Sequence, residues 1–205
     1  MEKRPLTNAE FELINIWKEV RVLSKIDPNG ICGREKGVVT VICGDKDHAA
    51  DNARFHQTRI TPSTHTVSLP GGALLIPRDS PFNTEELHLG DAMIWGIRFA
   101  HSGQKINHVM VEGHYPCGAA LDKGLTLVQT MGYIKSAKRR IVAEIPTLSE
   151  EQVTCYLHVD QAPHVSDEQE RRKLWFITAR WFDWVEEFGT VWHRTLTAQP
   201  VGSRA

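Results

Sequence analysis

Cys43, His114 and Cys117 are the residue types that hold a transition metal: two soft thiolate donors and one imidazole. A Cys2His set leaves the fourth position of a tetrahedral zinc ion open to water or to one more side chain, the arrangement of catalytic rather than closed structural sites. Cys43 begins the run Cys43-Gly44-Asp45, and the other two share the run Glu112-Gly113-His114-Tyr115-Pro116-Cys117-Gly118. If Gly118 opens a helix, its partial positive charge favours thiolate at Cys117. The same residues allow two other readings: buried thiols beside an ordinary histidine, or a thiol redox pair of Cys43 and Cys117 that forms a reversible disulfide and binds no metal.

Convergence requires elements that bring these runs to one place. Residues 38–43 (VVTVIC) and 106–111 (INHVMV) are short apolar runs rich in β-branched residues, as in strands buried on both faces of a parallel sheet. Ligand sites in such sheets lie just beyond the carboxyl ends of the strands, where both candidate runs fall. A third strand is expected over 64–69, broken by Pro70-Gly71-Gly72, and a half-buried one over 153–159, where Val153, Cys155, Leu157 and Val159 alternate with Thr154, Tyr156 and His158.

Helices are expected between the strands. Thr7 and Glu10 stand at capping-box spacing ahead of Leu13, Ile14, Trp17 and Val20, which predicts a helix ending near Ser24, before the turn Asp27-Pro28-Asn29-Gly30. Helical patterns also cover 46–57, 89–100 and 124–144, with a Pro- and Asp-containing loop over 77–86. A C-terminal aromatic helix spans 167–190, its stripe (Leu174, Ile177, Trp181, Trp184, Val185, Phe188) running within 167–188. A stripe that wide suits a core plus a subunit interface. Alternating strands and helices predict an α/β fold, a mostly parallel sheet flanked by helices. The chain is read as one domain over residues 1–205, with an N-terminal helical part (1–30), a core (37–160), the C-terminal helix, and a frayed tail over 197–205.

Composition excludes several classes. The chain has 205 residues, 41% hydrophobic and 24% charged, with 24 Lys+Arg against 25 Asp+Glu. So balanced a chain has no global electrostatic claim on nucleic acid or an anionic membrane, and no apolar run is long enough for a span. The N-terminus lacks the apolar core of a signal peptide, which points to the cytoplasm. Four cysteines (Cys32, Cys43, Cys117 and Cys155) are too few for a disulfide scaffold.

Cys43-Gly44-Asp45 after one buried strand and the Glu112-to-Gly118 run after another, with Pro70-Gly71-Gly72 and the helix–strand unit leading into His114 in the same order, resemble the β-class carbonic anhydrases over residues 37–160. In that family Cys-x-Asp-x-Arg followed by His-x-x-Cys binds catalytic zinc. The resemblance implies Zn2+ on Cys43, His114 and Cys117, interconversion of carbon dioxide and bicarbonate, and a homodimer or larger homo-oligomer. It gives Asp45 one of two tasks: accepting a hydrogen bond from the zinc-bound nucleophile, or ligating zinc itself and closing the site.

The resemblance breaks at Asp47, which stands where the family has the arginine partner of that aspartate. Pro77-Arg78-Asp79-Ser80 does not reproduce the family's Arg-Asn-Ala-Gly segment, and Tyr115-Pro116 replaces small and acidic residues. Three consequences are open: Asp45 ligates zinc permanently, a different cation (Lys46, Arg54 or Arg59) takes over, or the site serves another chemistry, including a binding or regulatory role without hydratase activity. His48 and His56 are candidates for a supporting role beside the site. Cys155 reads as core, Cys32 as part of a glycine-rich turn, His158 as a residue with nothing to promote it, and Lys138-Arg139-Arg140 as a solvated helix end.

Overall fold

The computed structural model describes residues 4–31, 34–84 and 86–198; Cys32 and the tail beyond 198 lie outside them. Its strands are β1 (Leu23–Ser24), β2 (Val38–Cys43), β3 (Thr64–Leu69), β4 (Val109–Tyr115), β5 (Val153–Asp160) and β6 (Arg172–Ile177), and its helices α1 (Asn8–Glu19), α2 (Lys46–Phe55), α3 (Leu89–Gln104), α4 (Gly118–Asp122), α5 (Leu127–Glu144), α6 (Glu168–Arg171) and α7 (Arg180–Thr197). They build a sheet of order β1-β6-β5-β4-β2-β3. The β5-β4-β2-β3 part is parallel, and β6 and β1 continue it antiparallel. The fold class is α/β, a mostly parallel sheet flanked by helices, as the sequence predicts.

The two faces of the sheet differ chemically. Side chains alternate along each strand, and the parallel registers align odd with odd: Val39 with Val109, Val41 with Val111, Val111 with Cys155. That odd face is apolar and joins one large core with Ile134 of α5, Ile97 of α3, and Trp17, Trp181 and Trp184 of α1 and α7. The even face, under α2, carries Thr40, Glu112, His114, Tyr156 and His158, all buried.

Several boundaries differ from the sequence reading, each for a local reason. α1 stops at Glu19 rather than near Ser24, because Arg21 turns left-handed (φ 60°) and the next residues pair with β6 as β1. β4 runs to Tyr115 instead of ending at 111, because the carboxylate of Glu112 is met by α2 and so can remain inside a buried strand. β5 is not half-buried, since Tyr156 and His158 are covered too. α3 continues to Gln104, where Lys105 turns left-handed (φ 59°). The 124–144 pattern is α5, capped by the reciprocal Thr126–Gln129 box, with α4 as a separate turn before it. The polar stretch after β2 is α2, continued by a π-helical turn His56–Ile60.

The largest departure is the C-terminal segment. Residues 172–177 (RKLWFI) form β6 rather than helix, pairing with β5 on one side and β1 on the other. Pairing on both sides of a bulky, aromatic stretch overrides its helical spacing. Leu174 and Ile177 therefore leave the aromatic stripe, while α7 keeps Trp181 and Trp184, which meet Trp17 edge-on at 5.5 and 5.3 Å. Among the described residues no helix is long and apolar enough to cross a membrane.

Candidate metal centre

β2 and β4 are parallel neighbours, so their carboxyl ends lie together. Cys43 is the last residue of β2, His114 the penultimate residue of β4, and Cys117 caps α4 just beyond. The Cys43 and Cys117 sulfurs and a ring nitrogen of His114 all lie within 4.8 Å of one another, and all three residues are buried. Among the described residues these three are the converging donor set.

A tight turn fixes Cys43. After β3 the chain turns through Gly71 and Gly72, both left-handed (φ 96° and 52°). The Gly71 N–H donates to Cys43 Sγ at 3.2 Å. A Cβ on Gly72 would lie 2.5 Å from the Cys43 backbone nitrogen, so this close passage beneath the ligand admits only glycine.

The two thiols share a proton. Cys43 is driven toward thiolate, first by the hydrogen bond it receives from the Cys117 thiol, with His114 and the Gly71 amide adding to it against the cost of burial. Cys117 is pushed upward by donating to Cys43 and by burial, and the Ala120 and Ala119 amides offset only part of that. The helix-end effect anticipated for Cys117 is thus outweighed, and the thiolate resides on Cys43. A divalent cation would take the place of the shared proton, which is how thiolate sites couple metal uptake to proton release.

His114 is 4% exposed, and its Nε2 is a buried atom with no hydrogen-bond partner among the described residues. A buried imidazole with an unpartnered nitrogen, clustered with two sulfurs, is a residue that a metal ion would satisfy. The donor set fits zinc with one position left open.

The other anticipated residues fall out as follows. Asp45 is outside the converging set. Its Oδ1 accepts the His48 N–H at 3.1 Å and its carbonyl accepts the Ala49 N–H, so it caps α2, two residues after Cys43. Asp47 falls in the first turn of α2. Arg54 is engaged by Asp51 at 3.9 Å, and Arg59 lines a surface hollow with Arg34. The His48 ring stacks on His114 at 4.6 Å, beside the centre as anticipated. His56 turns away to Glu112, Nε2 to Oε1 3.0 Å, while Asn52 donates to the other oxygen. Cys155 is core, its Sγ against the Ile134 carbonyl.

Sequence reasoning missed two groups. His158 lies beside His114 in the β4–β5 register, its Nε2 3.5 Å from Asp51 Oδ2. With His48, Asp51, His114, Asp160 and Arg172 it lines a cavity of about 10 Å3, the space of a single water. The signal was register, which a strand read alone does not carry. The second group is Arg4 and Glu10, which reach Tyr115 in the metal loop. The capping-box spacing located Glu10 but not this second use of its carboxylate.

No protein-family model matches the chain. No curated protein matches it either. Among solved structures it is similar to the β-carbonic anhydrase CafD of Aspergillus fumigatus (13% identity over 76% of this chain and 99% of that one, TM-score 0.40). It is also similar to β-carbonic anhydrase isoform I of Trichomonas vaginalis (12% identity, 84% and 98% covered, TM-score 0.42) and to the carbonic anhydrase of Streptococcus mutans (10% identity, 84% and 99% covered, TM-score 0.41). Superpositions this loose transfer no chemistry from one chain to another, and the functional reading is carried by the donor set itself.

Proposed function

We propose that Cys43, His114 and Cys117 bind a zinc ion, and that the centre catalyses the reversible hydration of carbon dioxide to bicarbonate. The single observation behind this is that a thiolate, a thiol and an imidazole, all buried and drawn from two neighbouring strand ends, bring their donor atoms within 4.8 Å of one another. When bound in such a set, zinc supplies a water acidified to a pKa of about 7 as nucleophile.

The chain's own residues have defined tasks in this reading. Cys43 and Cys117 contribute two negative charges, held in shape by Gly71 and by the turn into α4. The stacked His48 ring fixes the plane of His114. Asp45, oriented by the His48 amide, is the carboxylate at the rim that accepts a hydrogen bond at the open position. The protein so described is a cytoplasmic homo-oligomer with carbon dioxide and bicarbonate as its small-molecule partners. Its described cysteines are all free thiols, which suits a reducing compartment.

Elemental analysis and stopped-flow carbon dioxide hydration test the proposal together. The expected result is stoichiometric zinc and turnover that Cys117→Ser abolishes. Zinc-replete protein with no turnover anywhere between about pH 6 and 9 rejects the hydratase reading. Protein that takes up no zinc rejects the metal reading as a whole.

One observation favours a second reading: Asp45 has Asp47, not arginine, two residues on. With no cation at that place to draw it off, Asp45 would ligate the metal and close the site, leaving a zinc-binding protein without hydratase activity. Asp47→Arg separates the two. A gain in hydration rate shows that the site was held closed for want of that partner, and no gain removes the arginine from the explanation.

A further inference from the structure

We propose that Arg4, Glu10 and Tyr115 form a latch that holds the His114–Cys117 loop in its metal-receiving shape, so that the N-terminal strap governs how firmly the centre keeps its ion. The inference rests on the reading of Cys43, His114 and Cys117 as metal ligands, and it assigns positioning residues outside the donor set.

Tyr115 lies between two of the three donors. As the next residue along β4 it projects to the opposite side of the sheet from His114, into the apolar core, where it is 1% exposed. Its hydroxyl donates to Glu10 Oε1 at 2.5 Å. Arg4 forks onto the same carboxylate, Nη2 to Oε1 at 2.5 Å and Nη1 to Oε2 at 2.7 Å, and Nη2 also donates to the Tyr115 hydroxyl oxygen at 3.0 Å. The Thr7 N–H fills Oε2 at 2.9 Å, completing the α1 capping box with the same side chain. Glu10 is itself 3% exposed. Burial would raise its carboxyl, but the Arg4 and Thr7 hydrogen bonds bring it below the usual range.

The strap leading into α1 is tied down independently. Leu6 donates its N–H to the Ala162 carbonyl at 3.3 Å, and its own carbonyl faces His164 Nε2 at 3.0 Å. The strap therefore spans the end of β4 and the segment that follows β5, and the latch is its connection to the first of these.

Such a group is not needed to dock α1. Leu13, Ile14 and Trp17 are each fully buried in the main core, and a buried ionic network contributes little net stability compared with apolar packing of the same volume. What buried polar networks supply instead is a fixed geometry, and here that geometry is imposed on the residue joining His114 to Cys117. Groups that orient a metal ligand from outside the coordination sphere tune affinity without touching the ion.

The test uses the full-length zinc-loaded protein and its cobalt-substituted form. Tyr115→Phe and Glu10→Gln are compared with Ile14→Val, which loosens α1 without touching the latch. Two quantities are read: the rate of zinc transfer to a chromophoric chelator, and the thiolate charge-transfer and d–d absorption of bound cobalt. The expected result is zinc release accelerated ~10- to 100-fold with an altered cobalt spectrum in both latch variants. Arg4→Lys, which keeps the charge, should fall between them and the native protein. Ile14→Val should match the native protein in both readouts. Release within about twofold of native and an unchanged spectrum in the latch variants would overturn the latch, as would an equal effect from Ile14→Val. If the native protein takes up neither zinc nor cobalt, the metal reading fails separately. The loop is then probed by alkylation of Cys117 in metal-free protein, where an unchanged rate in Tyr115→Phe overturns the latch and a rate raised ~10-fold sustains it as a loop-shaping device.

Discussion

The two faces of this sheet are built from alternate residues of the same four strands, yet they solve opposite problems. On the odd face, Val39, Val41, Val109, Val111, Cys155 and Leu157 meet α3 and α5 with side chains that need nothing but close packing. On the even face, β4 and β5 contribute polar groups that meet α2 and its π-helical continuation: Asn52 and His56 for Glu112, His48 for His114, Asp51 for His158. The contrast teaches where this protein invests in specificity. The odd face can exchange one apolar residue for another of like volume. The even face is a chain of matched partners that runs along α2 toward the donor set, and removing one member strands another.

The sharpest way to break the comparison is at the Glu112–His56 pair, where both side chains are buried, 0% and 1% exposed. His56→Leu leaves the Glu112 carboxyl inside with one partner fewer, and breaking a buried pair in this way typically costs about 3–5 kcal/mol. Urea unfolding should show that loss. The double variant His56→Leu with Glu112→Met, which leaves only the Asn52 amide without its partner, should recover part of it. A double variant no better than the single one would mean that α2 is held to the sheet by something other than this network.

A smaller effect is expected on the odd face. Gly113 faces α5, and a Cβ there would lie 2.3 Å from Ile134 Cδ1 and 2.8 Å from Cγ1. Gly113→Ala should therefore cost about 1–3 kcal/mol by overpacking, read as a lower thermal midpoint. Ile134→Val, which removes the nearer atom, should restore part of the loss. The substitution adjoins His114, so metal uptake provides a second measurement: a purely steric effect on the odd face should leave it unchanged once the midpoint is restored.

Acid should weaken the even face selectively. Asp51 is held below the usual carboxylate range, first by the His158 ring 3.5 Å away, against some burial, and then by Arg172 and Arg54. A carboxylate whose native pKa is depressed binds fewer protons in the folded than in the unfolded chain. Its stabilising contribution is therefore complete above the unfolded value of about 3.9 and is lost as pH falls through the lower native value. Unfolding free energy should decline as pH falls below about 4, and Asp51→Asn should flatten that slope. An identical slope in the variant would place the acid sensitivity elsewhere, with Glu10, Asp91, Glu144 and Asp160 the other carboxylates held down by arginine partners.

How much of this was legible in the sequence follows the same division. The donor types at Cys43, His114 and Cys117 and the strands that carry them could be read directly, because apolar β-branched runs and ligand residues are local signals. The even face could not, since its content is pairing across elements. Glu112 looked like the end of a strand because a lone carboxylate in an apolar run is normally a boundary, and only Asn52 and His56, a helix away, make it tolerable inside. His158 looked idle because its neighbours are set by register. The segment over 172–177 read as helix because its apolar spacing suits either element, and strand won through the two edges it joins. Asp45 read as a carboxylate of the metal site, whereas its cap on α2 depends on where α2 begins.

The smallest effect should come from the third thiol, and it tests whether the faces are truly separate. Cys155 sits on β5 in the odd face, and burial pushes its thiol up to about 11. A protonated, enclosed thiol is a poor nucleophile. In metal-free native protein, an alkylating agent near pH 8 should consume Cys43, the thiolate of the pair, well before Cys155, which should react only as the protein unfolds. Cys155→Ala removes one sulfur atom from a packed core and should cost about 1 kcal/mol, with zinc uptake and release unchanged. Cys155 is separated from His114 by the plane of the sheet, not by distance along it, since its strand neighbour Val111 lies three residues before that ligand on β4. A change in metal release in Cys155→Ala would therefore mean that packing in the apolar core, which Cys43 and Cys117 also join, reaches the donor set.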